Sequence, residues 1–144
     1  MFDRKWIYEL LSPENAGLVL IDYEPQMVFG VESMNRAVLL NNLSGICKTA
    51  KLFDIPTVLT TVRADSFSGK MVPEVTEVFP NLPIYDRTTL NTWEDAPTRE
   101  AIKKLGRLYQ ILRFHYRTLL CLHIFLKIHQ PVSPSKFTKL VYAE

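Results

Sequence analysis

Two cysteines, Cys47 and Cys121, are all that the 144-residue sequence holds, too few and too far apart for a disulfide framework or a four-cysteine metal site. Glycine is scarce at five residues, and neither a Gly-rich phosphate loop nor a Gly-x-Ser-x-Gly turn occurs, which removes the common nucleotide-binding and serine-hydrolase motifs. The longest apolar stretch, residues 119–128, is broken by His123 and Lys127 and falls short of the ~20 residues that a bilayer span requires. No secretory signal is visible among residues 1–11, which carry Asp3, Arg4, Lys5 and Glu9, so the expected location is a reducing cytoplasm. The three histidines, His115, His123 and His129, share no ligand spacing with acids or cysteines, and no metal and no cofactor is expected.

What is present is the composition of an ordinary folded domain, 47% hydrophobic and 22% charged, with a net charge of +2. That balance points to neither nucleic acid nor membrane as a partner. The charge is unevenly spread. Residues 1–107 hold 12 Lys/Arg against 14 Asp/Glu, whereas residues 108–144 hold five basic side chains against Glu144, together with all the histidines and no glycine or aspartate. Two units are therefore expected: a domain over residues 1–107 and an atypical basic tail over 108–144. Leu108, Ile111, Leu112, His115, Leu119, Leu122 and Leu126 recur at helical spacing, so the tail reads as a helix followed by irregular chain.

Within the first unit, the run Leu18-Val19-Leu20-Ile21 ending at Asp22 reads as a strand buried on both faces. Apolar positions over residues 32–53 recur at helical spacing, and Thr57-Val58-Leu59-Thr60-Thr61-Val62 is a second strand. Strand, helix, strand in this order predicts parallel pairing and an α/β fold. One or two helical turns are expected over 72–79, a brief strand at Ile84-Tyr85, and a helix over 95–105 stopped by Gly106. Ligands of such sheets sit beyond the carboxyl ends of the strands, where Asp22, Arg63 and Arg87 fall. A carboxylate capping a buried strand needs a cation or hydrogen bonds, and Arg87 is the candidate, although Asp86 could equally neutralise it at the surface.

Three blocks, Leu18-Val19-Leu20-Ile21-Asp22-Tyr23-Glu24-Pro25-Gln26, Ile55-Pro56-Thr57-Val58-Leu59-Thr60-Thr61 and Asp86-Arg87-Thr88-Thr89-Leu90-Asn91-Thr92-Trp93, resemble the isochorismatase-like cysteine hydrolases in order and spacing. The resemblance covers residues 12–107. It implies a Rossmann-like parallel sheet with flanking helices, and a catalytic set of an aspartate, a basic residue and a cysteine nucleophile acting on a small amide or related C–N or C–O bond. Carried over by position, Asp22 matches the aspartate and Arg87 the basic member, with Asn91 and Trp93 lining the substrate pocket. A loop amide and a packed core indole are the competing readings of those last two. Homo-oligomers are expected as in the family.

The sequence departs from the family's pattern twice. Glu24 stands where glutamine is usual. Cys121 falls near the expected distance after Gly106, but its surroundings, Arg113-Phe114-His115-Tyr116-Arg117-Thr118-Leu119-Leu120-Cys121-Leu122, lack the family's glutamate and small residues. A cysteine inside a helix is more often a small buried hydrophobe than a nucleophile. The fold is thus expected to be incomplete on its carboxyl-terminal side through truncation, frameshift or deletion, and the alternative function is that of a catalytically inactive family member.

Overall fold

The computed structural model describes residues 12–107 together with the backbone of 109–112. Four strands form one parallel sheet, β1 (Ala16–Ile21), β2 (Thr57–Val62), β3 (Ile84–Arg87) and β4 (Tyr109–Leu112), in the order β3-β2-β1-β4. Four helices connect them: α1 (Pro25–Phe29), α2 (Arg36–Leu52), α3 (Pro73–Thr76) and α4 (Ala96–Lys104).

Burial on both faces explains why β1 is an unbroken apolar run. Leu18 and Leu20 point into a cluster with Leu39, Leu43 and Cys47 of α2, Val75 of α3 and Leu59 of β2. Val19 and Ile21 point the other way, against Val58, Trp93 and Ile102 of α4. Alternate side chains of one strand thereby serve two cores, as the period of two demands. All six β1 residues are buried, and each Å² of apolar surface so removed from water contributes about 25 cal/mol.

The helices begin and end where local chemistry dictates. Asn35 caps α2 by accepting from Ala37 N–H at 2.8 Å, and Asp95 caps α4 through Thr98 N–H at 2.9 Å. At the far end of α2, Asp54 adopts φ +50°, with Ile55 N–H donating to Ala50 O at 2.8 Å and Asp54 N–H to Lys51 O at 3.3 Å. That pair of bonds is a Schellman ending, which usually selects glycine. Gly106, at φ +60°, fills the equivalent place after α4 and stops it as expected.

One expectation fails in the backbone. The apolar spacing predicts that residues 109–112 start a helix in a unit separate from 1–107. They are instead a strand, paired with β1 in the register Ala16↔Tyr109 to Val19↔Leu112. The boundary after Arg107 therefore cuts the sheet before its last described strand. A short apolar spacing of three and four fits a helix face and a short strand alike, and pairing with β1 decides it. The remainder of the basic tail, including Cys121 and the three histidines, lies outside the described residues.

This strand order places the site. From β1 the chain moves outward to β2 and β3, then returns across the sheet so that β4 lies on the other side of β1. The reversal falls between β1 and β4, and ligands of open parallel sheets bind beyond the carboxyl ends of the strands at such a point.

Candidate functional site

Asp22 is the first residue beyond β1, at the carboxyl end of a strand flanking that reversal, and its φ of +60° turns the chain out of the strand. Left-handed backbone is uncommon outside glycine and best tolerated by Asn and Asp. Arg63, the first residue beyond β2, has φ +50°, so two adjacent strands end in the same unusual conformation. Such positions gather at functional rims, where surrounding bonds hold them.

Those bonds come chiefly from Arg87. Its guanidinium forks onto Asp22, Nη1 donating to Oδ1 at 2.6 Å and Nη2 to Oδ2 at 2.7 Å. Nη1 also donates to Thr61 O at 3.0 Å and Thr60 Oγ1 at 3.4 Å, and Nη2 to Leu90 O at 3.4 Å. The Arg87 side chain is 1% exposed and that of Asp22 is 19%. The cation is therefore locked inside while the carboxylate still meets the solvent. Arg87 Nε is the one buried side-chain polar atom without a hydrogen-bond partner among the described residues. Asp86, the competing partner, is occupied elsewhere: its Oδ1 accepts from Thr61 Oγ1 at 2.9 Å and Ala64 N–H at 3.0 Å.

The acid that sequence reasoning passed over as a small departure is Glu24. It is 0% exposed, and both its oxygens lie 3.3 Å from Val62 N–H. Burial pushes its carboxyl up to about 7, assisted by the nearby charges of Asp22 and Asp86 and opposed by the Val62 N–H and by Arg87. The only signal in the sequence was an ionisable side chain three residues beyond a buried strand.

Asn91 is half-buried, with its Oδ1 accepting from Trp93 N–H at 3.1 Å and its Nδ2 donating to Glu94 Oε1 at 3.3 Å. Those bonds tie the loop after β3 together. Trp93 is 7% exposed and packs against Val19, Ile21 and Val58 on the α4 side of the sheet. The site thus unites Asp22, Arg87 and Glu24, with Asn91 and Trp93 in the supporting loop. Cys47 is 0% exposed within α2, and desolvation pushes its thiol up to about 11, so it is a core residue. Among the described residues no group of acids, histidines and cysteines could hold a metal, and no helix is long and apolar enough to cross a membrane.

No family model matches the chain. YcaC of Escherichia coli strain K12, described as a probable hydrolase, is 29% identical over 101 residues, which are 69% of this chain and 49% of that protein. Two solved structures have a TM-score of 0.69 at 28% identity, each covering 72% of this chain and 52% of its own: E. coli YcaC, an octameric hydrolase of unknown specificity, and YcaC from Pseudomonas aeruginosa with hexane-2,5-diol and covalent acrylamide. The MAR1 ribonuclease of Caenorhabditis elegans shares the fold at a TM-score of 0.61 and 23% identity. The chain spans about half the length of the curated relative that it matches.

Proposed function

From homology with the YcaC hydrolases, of the isochorismatase-like family, we propose that this chain carries the acid and guanidinium of a cysteine hydrolase acting on a small amide or a related C–N or C–O bond. The observation that carries the reading is the two-pronged Asp22–Arg87 ion pair at the reversal point of the sheet. A surface ion pair would contribute little. This one buries its cation almost completely and leaves the carboxylate facing outward, an arrangement whose desolvation cost is offset only where geometry is fixed.

In this reading the nucleophile is Cys121, which follows β4 in the chain. A free thiol with a pKa of about 8.5 is only a few per cent thiolate at neutral pH, so it needs a base. Asp22 takes the thiol proton. The thiolate attacks the substrate carbonyl carbon, backbone N–H groups bind the oxyanion, and the C–N bond breaks as the proton passes from Asp22 to the leaving amine. Water then hydrolyses the thioester. Arg87 touches none of the reacting atoms and steers the Asp22 carboxylate. Asn91 and Trp93 belong to the pocket wall in this scheme, through the loop that they hold together. Self-association in the manner of the octameric E. coli relative belongs to the same reading.

Thiol labelling tests the assignment. With iodoacetamide at pH 7.5, Cys121 is expected to react at least tenfold faster than Cys47, and Asp22→Asn to slow Cys121 without changing Cys47. Labelling of both thiols at one slow rate, with no hydrolysis across a panel of small amides, would instead establish an inactive family member.

A further inference from the structure

The peptide group joining Thr61 to Val62 is held at both ends by the candidate site. Its carbonyl accepts from Arg87 Nη1 at 3.0 Å, and its N–H points at both oxygens of Glu24, 3.3 Å away. Arg87 and Glu24 are therefore brought to one peptide from two sides, on strands β3 and the chain beyond β1. The charges that face Glu24 are Asp22 beyond β1 and Asp86 and Arg87 on β3, while β2 presents the Val62 N–H.

Asp22 and Arg87 neutralise each other, whereas Asp86 is exposed to solvent and accepts from Thr61 and Ala64. A neutral Glu24 leaves the Asp22–Arg87 pair balanced. An ionised Glu24 adds a negative charge with no cation of its own, in a place with no exposed surface. Arg87 has a spare donor, since its Nε is buried without a partner. The guanidinium thus has a free hydrogen and a second carboxylate for a neighbour.

We propose that Glu24 is a positioning residue that competes with Asp22 for Arg87: protonated, it leaves the fork to Asp22, and ionised, it draws the guanidinium toward itself and loosens the aspartate. The raised Glu24 carboxyl, about 7, puts this exchange near neutral pH. The competition stems from burial, hydrogen bonding and charge, the raised carboxyl sets only its pH, and it holds whether or not the chain hydrolyses an amide.

The sign follows from linkage. An acid raised from 4.5 to about 7 on folding binds more protons folded than unfolded, so its contribution is full below about 4.5 and is lost as pH rises to about 7. Glu24→Gln keeps the shape and the acceptor for Val62 N–H but cannot ionise. Its Tm should match the parent at pH 4.5 and exceed it by on the order of 10 °C at pH 8. Parallel Tm-against-pH curves for the two proteins would overturn the proposal.

A second arm tests whether Glu24 is coupled to the Asp22–Arg87 pair at all. The Glu24 carboxyl is followed by carbon-13 NMR in the full chain and in Asp22→Asn, which releases Arg87 from its first partner. The Glu24 midpoint is expected to fall by a unit or more. An unchanged midpoint would mean that Glu24 is an isolated buried acid, and the competition would be wrong. Neither arm uses turnover, so failure here and failure of the hydrolase reading are distinct results.

Discussion

Asp22 combines two demands that usually fall on different residues, a left-handed backbone and a fixed charge. Substitution can separate them, because Asn accepts that backbone and lacks the charge, whereas Ala has neither property. Arg87 has no such freedom. Arg87→Met fills similar volume but strands the Asp22 carboxylate and the Thr61 carbonyl, and is expected to lower unfolding free energy by about 3–5 kcal/mol, measured by urea denaturation. A loss below about 1 kcal/mol would mean that water replaces the guanidinium at little cost. Both residues could be picked from the sequence because a carboxylate at the end of an apolar strand demands a partner and few cations stood in reach. Glu24 could not, since its burial depends on Val62, 38 residues away, and a glutamate beside Pro25 reads equally well as a solvated helix cap.

The connecting helices show how far local chemistry alone can be read. The 3.6-residue spacing located α2 and α4 within a few residues, because each presents one apolar stripe to the sheet and ends in a recognisable cap or stop. The five-residue α1 escaped notice; a single turn opened by Pro25 carries too few apolar positions to show a period. β4 was misread for the related reason that four residues cannot distinguish two periods, and its partner, β1, lies over 90 positions earlier. The end of α2 supplies a sharp test. Asp54 occupies a left-handed position that glycine fills without a steric cost, so Asp54→Gly should raise stability by about 0.5–1 kcal/mol in equilibrium denaturation. A loss would show that the aspartate side chain contributes more than its backbone costs.

One parallel sheet with a core on each face gives the whole molecule a division that mutation can probe. Leu43 belongs to the cluster under α2 and Ile102 to the cluster under α4, and the two clusters share no buried residue. Leu43→Ala and Ile102→Ala should each cost about 2–5 kcal/mol, and the double variant should cost their sum within about 0.5 kcal/mol if it still folds cooperatively. Marked non-additivity would mean that the sheet transmits repacking from one side to the other. The α/β class and the parallel β1–β2 pairing were legible because a strand with two buried faces admits few other architectures, whereas the order of the whole sheet and the cluster around Arg87 depend on distant segments meeting. Among the described residues, Asp22, Glu24 and Arg87 share one rim. The opposite rim begins at the turn before β1, where the exposed Glu14 stands about 20 Å along the strand from Asp22. A fluorophore or surface tether attached there would leave the acid and its cation untouched, which makes that turn the natural handle for immobilising the protein.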